Sequence, residues 1–267
     1  MIVFPNAKIN LGLNILHKRD DGYHELETCF YPVKWQEALE IIPSDKTIIT
    51  TSGIPIPDDS ENIILKAYNL LLADFNLPPV KIHLHKAIPI GAGLGGGSAD
   101  AAFALKLMND EFSLGLTEFN MIDYASQLGA DCSFFIKNKP CLASGIGEKL
   151  VEIDLSLKGN FILMIYPNIH ISTKEAYTNI KPQLPSISIE DILNQYDLRD
   201  WKNYLINDFE MPLFKTYPIL QEIKSGLYDA GATYASMSGS GSCMFGIFDQ
   251  KPDIDFPEEY TTWIGDL

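Results

Sequence analysis

The first clear pattern in the chain is an alternation of apolar and polar residues near the start of the sequence. Apolar residues at positions 9, 11, 13 and 15 alternate with Lys8, Asn10, Gly12 and Asn14. A period of two is typical of a β-strand with one apolar and one polar face. We therefore predict a strand on which Lys8 and Asn10 share a face that points away from the core. An Asp-Gly step at positions 21 and 22 then predicts a turn.

The other periodic segments predict a mixture of strands and helices. Strands are predicted at 38–42, 47–51, 80–85, 150–153, 161–166, 234–237 and 243–248. Helices are predicted at 62–75, 98–108, 117–128, 189–196, 201–209 and 217–228, with Thr117 as an N-cap and Gly129 as a stop. The pattern of residues along the chain changes near residue 155. We therefore predict an α+β protein of two lobes, residues 1–155 and 156–267.

Charge and composition narrow the classes of partner. The chain has 35 acidic and 20 basic residues, a net charge of -15, which disfavours nucleic acids and anionic membranes as partners. No apolar run approaches the length of a membrane span, and the first residues do not resemble a signal peptide, so we expect a cytoplasmic protein. The four cysteines form no CxxC pair, which predicts neither a zinc site nor a disulfide framework. No metal-binding residue is predicted, and the sequence leaves the oligomeric state open.

A glycine-rich segment lies between the strand predicted at 80–85 and the helix predicted at 98–108. It has five glycines in the seven residues from Gly91 to Gly97. Glycine permits close backbone approach and unusual φ angles, so consecutive N–H groups can surround an anion at the start of the helix. Ser98 is a candidate N-cap of that helix. The segment therefore predicts a phosphate-binding loop.

Two other interpretations of the glycine-rich segment are weaker. A P-loop is excluded because no Lys-Ser/Thr pair follows the glycines. Gly91, Gly93 and Gly96 satisfy the G-x-G-x-x-G pattern of dinucleotide-binding proteins, and Asp110 lies close to the distance expected for a ribose-binding acid. That acid should close a second strand, whereas Asp110 follows directly from a predicted helix. Phosphate binding is favoured over dinucleotide binding.

Three motifs resemble those of the GHMP kinases and occur in the same order. They are Pro5-Asn6-Ala7-Lys8-Ile9-Asn10-Leu11, the glycine-rich segment from Pro89 to Ser98, and Ser238-Gly239-Ser240-Gly241-Ser242-Cys243. The resemblance implies the two-lobed GHMP kinase fold, with an N-terminal mixed-sheet ATP-binding domain and a C-terminal ferredoxin-like α/β domain. It also implies ATP as the phosphoryl donor, with Mg²⁺.

Four further segments resemble one branch of this family. They are 7–11, 21–24, 128–131 and 145–148, and the branch phosphorylates the 2-hydroxyl of 4-diphosphocytidyl-2-C-methyl-D-erythritol in the non-mevalonate isoprenoid pathway. The implied partner is a small cytidine diphosphate derivative. Alternatives are a homoserine or mevalonate type of kinase, a nucleotide-binding module without catalysis, and a dinucleotide-binding oxidoreductase.

The resemblance also implies roles for individual residues. Asp131 is the implied catalytic base and Lys8 its catalytic partner, although residue chemistry alone favours Asp131 as a helix cap. The implied ATP-binding residues are Pro89, Ile90, Gly91, Ala92, Gly93, Leu94, Gly95, Gly96, Gly97, Ser98 and Ala99. The implied substrate-binding residues are Asn10, Tyr23, His24, Lys86, Tyr177 and Gly239.

Overall fold

The computed structural model describes residues 1–57 and 62–267. These residues form two compact units that are interleaved along the chain. The first unit comprises Met1–Ala7, Trp35–Ile90 and Gly95–Lys139, and the second comprises Lys8–Lys34, Gly91–Leu94 and Pro140–Leu267. Both units combine helices with sheets. The boundary near residue 155 stays a prediction.

The elements follow one another in mixed order. The strands are β1 (Ile2–Val3), β2 (Asn6–Lys18), β3 (His24–Gln36), β4 (Ala38–Pro43), β5 (Ile48–Gly53), β6 (Val80–Lys86), β7 (Cys141–Gly145), β8 (Lys149–Glu152), β9 (Phe161–Tyr166), β10 (Tyr234–Met237), β11 (Met244–Phe248) and β12 (Thr261–Asp266). The α-helices are α1 (Ile63–Asp74), α2 (Gly96–Glu111), α3 (Glu118–Leu128), α4 (Cys132–Lys137), α5 (Thr173–Thr178), α6 (Ile189–Gln195), α7 (Glu210–Thr216) and α8 (Pro218–Asp229). A short 3₁₀-helix occupies Trp201–Asn203. No helix among the described residues is both long enough and apolar enough to cross a membrane.

A mixed four-stranded sheet forms the centre of the first unit. Its strand order is β1-β4-β6-β5, with β5 parallel to β6 and the other pairs antiparallel. Helix α1 begins where the side chain of Asn62 accepts a hydrogen bond from the backbone of Ile64. Its apolar face, which includes Ile64 and Leu71, is fully buried. Burial of one such side chain contributes about 1.5–3 kcal/mol, so this face stabilises the unit.

The second unit contains most of one sheet and the whole of another. The first has the order β2-β3-β7-β8, and the second has the order β10-β11-β9-β12 with every pair antiparallel. Helices α7 and α8 contribute Leu213, Leu220 and Leu227 to a core that also contains Met237 and Met244. The strands predicted at 234–237 and 243–248 are therefore central to this core.

The helix predicted at 201–209 is wrong beyond its first turn. The backbone N–H of Leu13 donates to the carbonyl of Ile206, and the N–H of Asp208 donates to the carbonyl of Leu13. This bridge to β2 requires extended backbone at 206–208, which ends the helical turn at Asn203. Strand β3, which contains Pro32, is absent from the strands predicted from the sequence. That proline lies beyond Leu26–Phe30, the part of β3 that pairs with β7.

Candidate active site

Three sequence motifs meet within the second unit. The backbone N–H of Lys8 donates to the carbonyl of Leu94 at 3.0 Å, and the N–H of Cys243 donates to the carbonyl of Ala92 at 3.1 Å. The hydroxyl of Ser238 donates to the carbonyl of Gly93 at 2.9 Å. The N-terminal motif, part of the glycine-rich segment and the serine-glycine loop are therefore bonded to one another.

Glycine is required at two of these contacts. Gly93 has φ +81°, and a Cβ atom there would lie 2.0 Å from the carbonyl oxygen of Ser238. Gly239 has φ +56°, and a Cβ atom there would lie 3.2 Å from Oδ1 of Asn10. Residues with side chains rarely adopt such φ values, and the first distance is shorter than any normal contact. The close approach of the loops explains both glycines.

Lys8 and Asn10 share one face of β2, as predicted, but that face is buried. The exposed fraction is 4% for Lys8 and 2% for Asn10, so the expectation of a face pointing away from the core is wrong. Lys8 Nζ donates to Asn10 Oδ1 at 2.6 Å, and Asn10 Nδ2 donates to Thr28 Oγ1 at 3.0 Å. The Lys8 ammonium also lies 4.9 Å from the ring centroid of Phe30. These contacts offset the cost of burial and hold a cation in a fixed position.

Of the residues predicted for the acceptor, all but Lys86 lie in the second unit. The rings of His24 and Tyr177 stack with centroids 4.8 Å apart and an interplanar angle of 18°, and Tyr177 meets Phe209 edge-on. Burial, followed by the charge of Lys18, lowers the pKa of His24, which favours the neutral imidazole. Neutral imidazole has one donor and one acceptor nitrogen. Tyr23 precedes this pair and is 61% exposed, which leaves its ring open to a ligand.

Asp131 lies in the first unit, immediately before α4. It occupies the N-cap position of α4, as the alternative role predicted, but its side chain makes no capping hydrogen bond to that helix. Lys106 fixes the other end of the helix by donating to the carbonyls of Phe135 and Ile136 at 3.2 and 2.9 Å. A cation at a helix C-terminus is favourable. The short helix that follows Asp131 is therefore well anchored.

The helix predicted to begin near Ser98 begins two residues earlier. Gly95 occupies the N-cap position of α2 with φ 70° and makes no side-chain cap, so Ser98 lies inside the first turn and is not the N-cap. The N–H groups of a first helical turn have no acceptor within the helix. They remain suited to a phosphate, as the sequence analysis proposed for this segment.

A buried ionic cluster lies at the end of β6 in the first unit. Lys86 Nζ contacts Glu37 Oε1 at 2.5 Å and Asp100 Oδ2 at 2.8 Å, and all three residues are almost fully buried. The predicted contact of Lys86 with the diphosphocytidyl group gains no support here, because its ammonium is held by two carboxylates. No sequence signal pairs Lys86 with Glu37 or Asp100, which are far apart along the chain.

The Asp100 carboxyl group has an unusual environment. Its Oδ1 is buried and has no hydrogen-bond partner among residues 1–57 and 62–267. Burial raises the pKa of Asp100 to about 7, with Lys86 acting to lower it and Glu37 to raise it. A proton on Asp100 permits a hydrogen bond to Glu37 that two ionised carboxylates cannot make.

This pKa predicts how Asp100→Asn changes stability with pH. The ordinary pKa is 3.8, so between about pH 4 and 7 the folded state holds a proton that the unfolded state has lost. The contribution of Asp100 to the free energy of unfolding therefore falls as pH rises through this window. Asparagine does not titrate, so its contribution stays constant over this window. The melting temperature of the variant minus that of the wild type should therefore increase by roughly 3 °C or more between pH 5 and pH 8. A constant difference in melting temperature across these pH values would contradict the shifted pKa.

Two family models match the chain. The model of the GHMP kinases N terminal domain matches residues 62–139, and the model of the GHMP kinases C terminal matches residues 189–256. Together they cover more than half of the 267 residues. The chain belongs to the GHMP kinase family.

Several curated relatives of this GHMP kinase share a name. The 4-diphosphocytidyl-2-C-methyl-D-erythritol kinase of Bacteroides fragilis is 52% identical over 259 residues, covering 95% of this chain and 94% of that protein. The kinase of the same name from Cytophaga hutchinsonii is 52% identical over 255 residues, with 95% and 94% covered. A crystal structure of 4-(cytidine 5'-diphospho)-2C-methyl-D-erythritol kinase has a TM-score of 0.80 at 33% identity, covering 92% of this chain and 90% of that one.

These comparisons test the expectations about the fold, the phosphoryl donor and the class of protein. The α+β GHMP kinase fold and ATP as the phosphoryl donor are confirmed. The GHMP kinase is an enzyme, so the alternatives of a non-catalytic module and a dinucleotide-binding oxidoreductase are wrong. The roles assigned to individual site residues stay predictions.

Proposed function

We propose that this GHMP kinase transfers the γ-phosphoryl group of ATP, bound with Mg²⁺, to the 2-hydroxyl of 4-diphosphocytidyl-2-C-methyl-D-erythritol. The names and near-complete coverage of its relatives support this acceptor. The observation that carries the proposal is the bonding of three GHMP kinase motifs at Lys8, Gly93 and Ser238 within one unit. Chance similarity in three separate segments would not produce these contacts.

The glycine-rich segment binds the phosphates of ATP in this proposal. The residues assigned to ATP are those from Pro89 to Ala99. Gly93 and Gly95 have φ of 81° and 70°, which permits backbone N–H groups to approach an anion without side-chain obstruction. The first turn of α2 adds the positive end of a helix dipole. This arrangement binds polyanionic ATP on a protein whose net charge is -15.

The transfer step needs a base and a stabilising cation. The 2-hydroxyl oxygen forms a bond to the γ-phosphorus, the bond from that phosphorus to the bridging β-phosphate oxygen breaks, and ADP leaves. We assign the hydroxyl proton to the carboxylate of Asp131. Lys8, whose ammonium is held in place by Asn10 and Phe30, stabilises the negative charge of the transition state.

The acceptor is held by residues of the second unit. Tyr23 stacks on the cytosine, His24 hydrogen-bonds the base, and Tyr177 provides the second aromatic ring. The stacking of His24 on Tyr177 supports this grouping, since it brings two of the three rings together. Asn10 and Gly239 are assigned to the far end of the acceptor, because a Cβ atom on Gly239 would lie only 3.2 Å from Oδ1 of Asn10.

Three broader expectations also belong to this proposal. We propose that residues 1–155 and 156–267 are the two domains of the GHMP kinase, with the ATP-binding segment in the first. We propose a cytoplasmic enzyme whose partners are small molecules. The net charge of -15 disfavours nucleic acids and anionic membranes.

A cytidine site predicts selective stabilisation by nucleotides in the absence of ATP. CMP should raise the melting temperature clearly more than UMP, because hydrogen bonds matched to cytosine leave buried polar groups unpaired with uracil. Tyr23→Ala should remove most of the CMP effect, since stacking on an aromatic ring is worth roughly 1–3 kcal/mol per base. Thermal shift measurements at saturating CMP and UMP test both statements.

A second exposed tyrosine provides the control. Tyr204 is 41% exposed, lies in the same unit, and its ring meets that of Tyr196 with centroids 4.2 Å apart. Tyr204→Ala should keep the full CMP shift. Equal shifts from CMP and UMP, or an unaltered CMP shift in Tyr23→Ala, would exclude the cytidine site.

A further inference from the structure

Both oxygens of the Glu37 carboxylate are used at the entrance to the glycine-rich segment. Oε1 accepts from Lys86 Nζ at 2.5 Å. Oε2 accepts from the backbone N–H of Ala87 at 2.9 Å and, more weakly, from that of Ile88 at 3.4 Å. These residues follow the end of β6 and lead directly into Pro89. The carboxylate therefore fixes the backbone where the ATP-binding segment begins.

The same carboxylate is linked to the start of α2, where the segment ends. Lys86 Nζ bridges Glu37 to Asp100, which lies in the first turns of α2. A Cβ atom on Gly96, the first residue of α2, would lie 3.1 Å from Lys86 Nζ and 3.2 Å from Glu37 Oε1. The cluster is thus packed directly against the start of the helix.

A contribution to the stability of the folded protein does not explain the presence of this ionic cluster well. Glu37 is 2%, Lys86 3% and Asp100 2% exposed, so three ionisable groups are removed from water. Within the part of the chain that the structure describes, Oδ1 of Asp100 is left without a hydrogen-bond partner. Buried ion pairs often contribute little to stability, because the cost of desolvation offsets the attraction. What the cluster does provide is a rigid connection between the end of β6 and the first turn of α2.

We propose that Glu37 is a positioning residue for ATP binding, which holds the two ends of the phosphate-binding segment in place through Ala87, Ile88 and Lys86. The inference rests on the proposed function, since it assumes that the segment binds ATP. Glu37 has no assigned contact with ATP or acceptor. Its removal should therefore weaken ATP binding while the acceptor site stays intact.

Glu37→Gln tests this role with almost no change in volume. Glutamine has one carbonyl oxygen in place of two acceptors, so either Lys86 or the backbone N–H groups lose their bond. We expect the KM for ATP and the calorimetric Kd for ATP to rise about tenfold, which corresponds to about 1.4 kcal/mol. The KM for the acceptor should stay within twofold of the wild-type value. A role limited to stability would not separate the two substrates in this way.

Glu37→Asp separates position from charge and guards against misfolding of the glutamine variant. It keeps a negative charge beside Lys86 but draws the carboxylate back from Ala87 and Ile88. We expect the Kd for ATP to rise at least threefold in a folded protein. Ile64→Val on the buried face of α1 is the stability control, because it removes one buried methyl group of the same unit and should lower the melting temperature without changing ATP affinity.

The outcomes separate the inference from the proposed function. A Kd for ATP within twofold of wild type in both Glu37 variants would overturn the inference, as would an equal rise in Ile64→Val or a parallel rise in the acceptor KM. Failure of the wild-type enzyme to phosphorylate the cytidine acceptor would instead overturn the proposed function. Calorimetric ATP affinity still tests Glu37 in that case.

Discussion

Asp131→Asn should reduce turnover at least about a hundredfold and leave the affinity for ATP within about threefold of wild type. General-base catalysis typically contributes on the order of 10²–10⁴ to the rate, and asparagine cannot accept the hydroxyl proton at neutral pH. The substitution changes the volume of the side chain very little, and Lys106 holds the far end of α4. Steady-state rates of ADP release and calorimetric ATP affinity measure the two quantities.

A surface aspartate of the same unit is the matched control. Asp123 lies in α3 with its side chain exposed, so Asp123→Asn should keep wild-type turnover. A folded Asp131→Asn protein with turnover within tenfold of wild type would remove Asp131 from the reaction. A loss of turnover together with a large loss of ATP affinity would indicate a structural role instead.

Gly93→Ala should abolish most ATP binding and also lower the melting temperature. The new Cβ atom would lie 2.0 Å from the carbonyl oxygen of Ser238, at a backbone φ of +81° that alanine rarely adopts. Either the glycine-rich segment or the serine-glycine loop must therefore move. We expect the Kd for ATP to rise at least tenfold, because the N–H groups that surround the phosphates lose their arrangement. Calorimetry and thermal melting measure the two effects.

Gly226→Ala separates this effect from a general response to losing a glycine. Gly226 lies in α8, and a Cβ atom there would meet nothing within 4 Å. No clash arises with any atom of residues 1–57 or 62–267, and alanine is the better helix former by about 1 kcal/mol. This variant should therefore be at least as stable as wild type and bind ATP normally. Normal ATP affinity in Gly93→Ala would mean that the segment does not need its close contact with Ser238.

The parts of the site that could be predicted are those in which chemistry restricts the residue type. Close backbone approach permits only glycine at positions such as Gly93, so the requirement is visible in the sequence itself. The alternation in β2 likewise predicted that Lys8 and Asn10 share a face. Burial of that face was not predictable, because it depends on the bonds that Asn10 makes to Thr28 and to Lys8.

The parts that could not be predicted depend on contacts between distant residues. Glu37 lies 49 positions from Lys86 along the chain, and a single buried carboxylate has no pattern that marks it. Similarly, 201–209 has helical spacing, but the bridge between Leu13 and Asn207 requires extended backbone. At 201–209 the tertiary contact overrides the local helical pattern, and at Glu37 the tertiary contact has no local pattern at all.

Release of ADP in the presence of each candidate acceptor tests the central claim most directly. Purified protein with MgATP should release ADP stoichiometrically when 4-diphosphocytidyl-2-C-methyl-D-erythritol is added, and at no more than about a hundredth of that rate with homoserine or mevalonate. The product should carry its new phosphate on the 2-hydroxyl. Preferential turnover of homoserine or mevalonate, or no release of ADP with the cytidine acceptor, would contradict the proposed function.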